Sequence, residues 1–331
     1  MKRFLSNLND ILNSKKQKLI YCNIQILYYI LLLYIICLSN EDNSKIILTI
    51  EGSGDQKIYN SFNYAPDQII VNNAYSSHQG NTVYGLIEEI NIITLIWNNQ
   101  PTSCSNMFEG LSNITHIDLS NFKTSLVTDM SFMFIGCSSL ISLDLSNLNT
   151  ALVTRMNNMF DGCSALISLN LNNLITSSVT DFEYMFYGCS SLTSLNLRNF
   201  DTSSAQYMYS MFNGCSKLES LDLSNFITSS VINFEYMFYG CSSLKSLNLN
   251  NFDTSSAQYM NSMFNGCRKL ESLDLSNFIT SSVTNFGYMF YGCSSLKSLK
   301  LSSNFKTSSA QYKNSMFDGC SSLISLNLNN F

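Results

Sequence analysis

The chain has few charged residues, few prolines and almost no histidine. Charged residues make up 12% of its 331 positions, about half of the ~25% usual in globular proteins. Eighteen basic residues against 23 acidic ones give a net charge of −5, whereas a nucleic-acid partner requires a basic face. Two histidines leave little material for imidazole catalysis or for a zinc site. We therefore expect no enzyme, no cofactor or metal, and no nucleic-acid partner.

An uncharged apolar run lies near the amino end, between residues 19 and 38. Twenty residues of helix at 1.5 Å rise can just cross a hydrocarbon layer of ~30 Å. Lys15, Lys16 and Lys18 precede the run, so the positive-inside bias directs the rest of the chain outward. Two interpretations stay open: an uncleaved signal-anchor, or a signal peptide cleaved near Cys37–Ser39. Residues 1–39 thus form the predicted cytoplasmic n-region and signal, and 19–38 the predicted membrane contact.

A repeat follows, marked by the motif Met-Phe-x-Gly. The nine copies lie 26 residues apart, except for a last interval of 27, and near-identical two-copy blocks give a second period of 52. We call each copy a rung. The methionines are Met107, Met133, Met159, Met185, Met211, Met237, Met263, Met289 and Met316. The repeat defines an array over 104–331, and the β-rich, non-repeating stretch 40–103 is predicted to be its amino-terminal cap.

Each rung combines a strand pattern with a segment of helical spacing. The strand reads L-x-x-L-x-L-x-N-[F/L], in which alternate residues share the inward face. Val179, Phe182 and Phe186 then follow at i, i+3 and i+7, which indicates one stripe of a helix, with Gly188 at its end. We therefore predict an α/β fold: a leucine-rich-repeat solenoid of nine rungs, with a parallel sheet on one side and short helical segments on the other.

Two polar or thiol columns are expected inside this solenoid. The asparagine that closes each strand shares the parity of the inward leucines, so we predict a buried amide ladder whose members bond each other or turn backbone. Its members are Asn147, Asn173, Asn199, Asn225, Asn251 and Asn277. The cysteine column is Cys137, Cys163, Cys189, Cys215, Cys241, Cys267, Cys293 and Cys320. Parallel rungs about 4.8 Å apart exceed the ~3.8 Å mean Cβ separation of a disulfide, which favours reduced, buried thiols over disulfides or a metal ladder.

The alternation of LxxLxLxNF with VTxMxxMFxGCSSL resembles the BspA-like leucine-rich-repeat proteins of bacterial and protist cell surfaces. The resemblance covers Ser105 to Phe331. It implies a cell-surface or secreted protein with an adhesion or recognition role, and it implies no catalytic residue. The asparagine comes one residue earlier in the strand than in the commonest leucine-rich repeat, so a particular curvature does not carry over.

Tyrosines are the candidate partner-binding residues, because they fall off the apolar stripe and are enriched at recognition surfaces. They are Tyr184, Tyr187, Tyr207, Tyr236, Tyr239, Tyr259, Tyr288, Tyr291 and Tyr312. In the alternative interpretation their rings only cover neighbouring rungs. We expect a membrane-anchored or secreted protein that presents its repeats to an extracellular protein or matrix ligand. The alternative is a structural coat component whose repeats self-associate.

Overall fold

The computed structural model describes residues 43–60, 65–75 and 78–326, and none of these residues lies in a helix. The predicted signal and membrane contact at 19–38 lies outside the described residues. In the part of the chain that is described, no helix capable of spanning a bilayer is found. The strands are β1 (Ser44–Glu51), β2 (Gly54–Lys57), β3 (Gln68–Val71), β4 (Ala74–Tyr75), β5 (His78–Gln79), β6 (Thr82–Leu86), β7 (Ile90–Trp97), β8 (Ile114–Asn121), β9 (Ser142–Asp144), β10 (Ser168–Asn170), β11 (Ser220–Asp222), β12 (Ser246–Asn248), β13 (Ser272–Leu275) and β14 (Ser298–Leu301).

An antiparallel sheet closes the amino-terminal end of the array. Strand β1 pairs antiparallel with β7 on one side and with β8, the strand of the first rung, on the other. Its burial alternates, so that Ile46, Leu48 and Ile50 face the core. Because β1 occupies the edge of β8, the first rung exposes no unpaired strand edge there. Trp97 is buried at this junction, with its ring 5.5 Å from that of Phe122.

The rungs stack as a β-solenoid of about seven turns. On one side, short parallel strands pair in register: β8 with β9, β9 with β10, β11 with β12, and β13 with β14. On the other side, seven isolated parallel bridges link residues one turn apart, from Asp129 to Tyr312. One phenylalanine per rung stacks on the next, as Phe186 does on Phe212 at 5.6 Å between ring centroids. The predicted repeat solenoid is confirmed.

The predicted helical segments, and with them the α/β leucine-rich-repeat class, are wrong. The segment after Val179 is a run of turns in which Tyr184 and Gly188 both have left-handed backbone, with φ of 55° and 68°. The N–H groups of Phe182, Tyr184, Phe186 and Gly188 do not donate four residues back. They donate to carbonyls of the next rung, at 2.7–3.0 Å. An α-helix requires negative φ throughout and hydrogen bonds to the carbonyl four residues back. The i, i+3, i+7 spacing of the apolar residues arises here from turns.

The cysteine column is packed in the core. Cys137 to Cys293 are buried, Cys320 is half-buried, and all eight are free thiols. Each Sγ donates to the carbonyl of the stacked phenylalanine on the rung before, as Cys215 does to Phe186 at 3.2 Å. Burial raises the pKa of Cys215 to about 12. No group of three or more metal-binding side chains occurs among the described residues.

The asparagine ladder is not buried, which corrects the sequence prediction. Strand β9 ends at Asp144, so Asn147 lies in the following turn, where strand parity no longer applies, and its side chain is exposed. The same exposure holds for Asn173, Asn199 and Asn251, while Asn225 and Asn277 are half-buried. Asn225 donates to the carbonyls of Leu197 and Phe200, at 3.0 and 2.8 Å. The amides that are bonded therefore hold the carbonyls of the preceding rung instead of one another.

A threonine column supplies the buried polar link between rungs. Thr150 Oγ1 donates to the carbonyl of Ile175 and accepts from the N–H of the same residue, both at 2.8 Å. Thr202 holds Ile227 in the same way, at 2.9 and 2.8 Å. One buried hydroxyl thus satisfies both backbone groups of a residue that has no strand partner at that point.

Candidate functional site

The strand face carries carboxylates that are already engaged within the fold. Asp144 accepts the N–H of Ser146 at 2.8 Å, and Asp222 and Asp274 accept those of Ser224 and Ser276 at 3.1 and 2.9 Å. Hydrogen bonds from the serine lower the pKa of each of these aspartates. Lys300 also contacts Asp274, at 3.0 Å. These carboxylates stabilise local turns and do not converge on a common point.

The opposite surface, formed by the turn segments, carries the tyrosines. We call it the tyrosine face and define it by Tyr184, Tyr187, Tyr207, Tyr209, Tyr236, Tyr239, Tyr259, Tyr288, Tyr291 and Tyr312. Of the nine tyrosines predicted from the sequence, seven are exposed, and Tyr184 and Tyr236 are half-buried. Turns with left-handed backbone at Tyr184, Tyr236 and Tyr288 place the residue before each methionine on this surface. The inter-rung hydrogen bonds described above fix those turns, so the rings project from a rigid support.

Five rings form one continuous aromatic cluster. Tyr187 contacts Tyr184 at 5.7 Å between ring centroids, and Tyr184 contacts Tyr209 at 5.0 Å. Tyr209 then contacts Tyr236 at 5.7 Å, and Tyr236 contacts Tyr239 at 5.9 Å. All four contacts are edge-on, an arrangement that favours aromatic pairs. We call these five residues the tyrosine cluster; it spans three consecutive rungs.

Tyr209, the centre of the cluster, is not among the nine tyrosines predicted from the sequence. In that rung the tyrosine that recurs 52 residues later is Tyr207, which matches Tyr259. Tyr209 does not recur, because Asn261 occupies the position 52 residues after it. A signal for it does exist, since Tyr209 lies two residues before Met211, on the same column as Glu183 and Glu235. The other predicted rings do not join the cluster: Tyr288 and Tyr291 form a separate pair at 5.8 Å.

Carboxyl and phenol groups lie side by side on the tyrosine face. Burial raises the pKa of Glu183 and Glu235, which lie beside the cluster. Burial, with the neighbouring Tyr184, raises the pKa of Tyr209 to about 12, so the phenol stays protonated at neutral pH. A partner of this face therefore meets ring surfaces and neutral hydroxyl groups, with the half-buried carboxyl groups of Glu183 and Glu235 beside them.

Among the cavities in the described part of the chain, two lie along the array. One, of about 300 Å³, lies on the strand side at the break in the sheet between β10 and β11, around Ser194–Arg198. The other, of about 250 Å³, lies on the tyrosine face between Tyr236 and Tyr288. Gly287 lines the second cavity, at the column that Glu183 and Glu235 occupy on earlier rungs.

Comparison with known proteins adds a family. The profile of a family described as "Mycoplasma protein of unknown function, DUF285" matches residues 102–221, 167–270 and 208–331, which together cover the whole repeat array. No curated protein matches the chain.

Proposed function

The chain belongs to the DUF285 family, and from that premise we propose that it is a BspA-like, non-enzymatic surface protein that recognises extracellular partners through its tyrosine face. The tyrosine cluster is the observation that carries this proposal. Its five rings lie 5.0–5.9 Å apart on three rungs. Rigid tyrosines provide large contact area at low entropic cost.

The contrast between the two faces supports the same assignment. Strand-face carboxylates are occupied by turn N–H groups, and net gains from single polar contacts are only about 0.5–1.5 kcal/mol. Aromatic contacts bury more area for each residue. Because only 12% of the residues are charged, partner binding is expected to depend weakly on salt. Export follows from the apolar run at 19–38, with the repeats outside the cell, anchored or secreted.

Residues from the chain itself provide a matched test. Tyr184→Ser, Tyr187→Asn and Tyr209→Asn together copy the residues Ser210, Asn213 and Asn261 that occupy the same columns on other rungs. The triple variant of the full chain should fold normally. We expect it to lose at least tenfold in attachment to host-cell monolayers and to matrix proteins immobilised on a surface.

The control variant alters the strand face, again with residues that occupy the same column on other rungs. Asp144→Asn, Asp222→Asn and Asp274→Asn copy Asn170 and Asn248 at that column, and attachment should be retained. Attachment that survives the tyrosine changes and disappears with the aspartate changes would assign binding to the strand face. If instead neither variant changes attachment, and the wild type forms oligomers whose size depends on concentration in sedimentation, the protein is better described as a self-associating coat component.

A further inference from the structure

The cavity on the tyrosine face is produced by two local departures from the repeat. Asn261 stands where Tyr209 stands 52 residues earlier, so a ring is absent between Tyr236 and Tyr288. Gly287 stands where Glu183 and Glu235 stand, so a carboxylate side chain is absent as well. Between the corresponding rungs of the preceding block, the ring of Tyr209 fills the gap between Tyr184 and Tyr236.

Backbone geometry does not explain Gly287. Gly287 differs from the other glycines of the described chain, which all have positive φ. Their φ angles run up to 83°, except for Gly52 at 111°, and Gly287 is not among them. The φ angle at Gly287 therefore does not require glycine. A β-carbon at this position would lie 3.1 Å from Asn314 Oδ1 and 3.3 Å from Asn285 Oδ1. These are close contacts, so a side chain at 287 would project between the two amides and would require them to shift by a few tenths of an ångström.

Two of the three amides that line the cavity, those of Asn261 and Asn285, are held by hydrogen bonds. Asn285 Nδ2 donates to Asn261 Oδ1 at 3.1 Å, and Asn285 Oδ1 accepts the N–H of Gly287 at 3.0 Å. Asn261 is nearly buried, with 8% of its surface exposed. Such fixed groups lower the entropic cost of binding. Tyr236 and Tyr288 form the walls on either side.

We propose that this cavity binds one neutral sugar unit of a glycan chain. An amide offers both donors and acceptors, which matches the mixed donor and acceptor character of sugar hydroxyl groups. The aromatic walls can contact the C–H groups of a sugar ring through their electron-rich faces. The lining contains tyrosine, asparagine, serine and glycine and no charged side chain. A volume of about 250 Å³ is below the ~300–1,000 Å³ of pockets for drug-sized ligands, which fits a single unit.

This inference rests on the proposed recognition role, because it names one class of ligand on the same face. The tyrosine cluster on rungs before the cavity supplies the broader contact, and the cavity supplies chemical selectivity. A peptide partner is the competing ligand, and the experiment below separates it from a glycan.

The test uses the full chain, immobilised neutral and acidic oligosaccharides, and unmodified peptides of matrix proteins. Gly287→Glu restores the residue found at Glu183 and Glu235, and Asn261→Tyr restores that found at Tyr209, so each variant fills the cavity with a residue that the array already accommodates. We expect the wild type to bind neutral oligosaccharides, and each variant to lose at least tenfold in that binding. The triple variant Tyr184→Ser, Tyr187→Asn, Tyr209→Asn should retain binding of a short neutral oligosaccharide.

The outcomes distinguish this proposal from the one before it. Wild-type attachment to cells with no binding of any neutral oligosaccharide would overturn the glycan site and leave the recognition role standing. Binding restricted to acidic sugars or to peptides, or sugar binding that Gly287→Glu leaves unchanged, would also overturn it. Neutral sugar binding that is lost in both filled variants, without a change in melting temperature, supports it.

Discussion

The Sγ of Cys215 donates to the carbonyl oxygen of Phe186 on the preceding rung, over 3.2 Å. The same contact recurs in the column from Cys137 to Cys320, at 3.0–3.2 Å. The thiols therefore have a defined partner in the core, a backbone carbonyl. At the end of the column Cys320 also contacts the thiol of Cys293, and this hydrogen bond lowers the pKa of Cys320.

Thiol labelling should follow this geometry. Because burial raises the pKa of Cys215 to about 12, almost no thiolate is present at pH 8, and the thiolate is the reactive form. We expect alkylation of the native protein to begin at half-buried Cys320 and to be slow elsewhere in the column. On unfolding without reductant, all eight column cysteines should react. Column cysteines that stay unreactive until a reductant is added would show that disulfides are present.

Substitution of Cys215 should separate volume from hydrogen bonding. Cys215→Ser keeps a donor within reach of the Phe186 carbonyl, so we expect a loss of about 1 kcal/mol in the free energy of unfolding from burying a hydroxyl. Cys215→Ala removes the donor and opens a small void, so about 2 kcal/mol should be lost. Urea denaturation of both variants measures the order. A serine variant less stable than the alanine variant would contradict the assigned hydrogen bond.

The threonine column should be sensitive to loss of its hydroxyl. Thr202→Val removes the group that bonds both the N–H and the carbonyl of Ile227, at nearly constant volume. Leaving these two backbone groups unpaired should cost about 2–4 kcal/mol. Thr202→Ser is the control, because it keeps the hydroxyl and should cost about 1 kcal/mol for the lost methyl group. Equal melting temperatures for the valine and serine variants would contradict this role.

Two asparagines of one column should differ in their effect on stability. Asn225 donates to the carbonyls of Leu197 and Phe200, so Asn225→Ala should cost about 1–2 kcal/mol. Asn199 occupies the same column but is exposed, and Asn199→Ala should stay within about 0.5 kcal/mol of the wild type. Equal losses in chemical denaturation would indicate that the column acts as the ladder expected from strand parity.

The carboxyl of Glu235 should make stability fall as pH rises. Burial raises its pKa in the folded chain above the unfolded value of about 4.3, so the folded state binds the proton more tightly. The destabilisation is absent below about pH 4.3, grows as the pH rises, and is complete above the folded pKa. Glu235→Gln should therefore raise the melting temperature at pH 7 and leave it nearly unchanged at pH 4.

Glu219 provides the control of opposite sign. A hydrogen bond from Lys245 lowers the pKa of Glu219, so its contribution to stability is present at neutral pH and is lost as pH falls through the folded pKa. Glu219→Gln should lower the melting temperature slightly at pH 7, since an exposed ion pair stabilises little. A Glu235→Gln variant that melts below the wild type at pH 7 would contradict the Glu235 prediction, because it would show that the ionised carboxylate stabilises the fold.

Periodicity predicted the solenoid and its columns, but not the local backbone. The spacing of Val179, Phe182 and Phe186 fits a helix, and tyrosine is unusual in the left-handed region, so nothing in the residue type of Tyr184 signals the turn. The asparagine prediction was wrong for a related reason. Strand parity was extended to Asn147, three residues beyond the end of β9, and the inward direction does not persist past a strand end.

The sequence predicted most tyrosines of the candidate surface but not Tyr209, which lies at the centre of the tyrosine cluster. The sequence identified nine exposed or half-exposed tyrosines, because aromatic residues off an apolar column stand out in a repeat. It missed Tyr209, which joins Tyr184 to Tyr236. Tyr209 contacts rings that lie one column away on the rungs before and after it. Contacts of this kind depend on the side-by-side placement of neighbouring rungs, which the sequence of a single rung does not show.

The uniform junction between rungs has a genetic consequence. Residues 182–233 and 234–285 are near-identical blocks of two rungs, and Phe182, Phe234 and Phe286 begin equivalent segments. A recombination that deletes the first block joins Asp181 directly to Phe234, and the phenylalanine stack and the thiol bonds continue across the new junction unchanged. Such a deletion would remove Tyr184, Tyr187 and Tyr209 from the tyrosine cluster and keep the cavity beside Gly287. A duplication of the block would add a second set of these three rings. Unequal exchange could therefore vary the number of tyrosine clusters without any compensating change in the core.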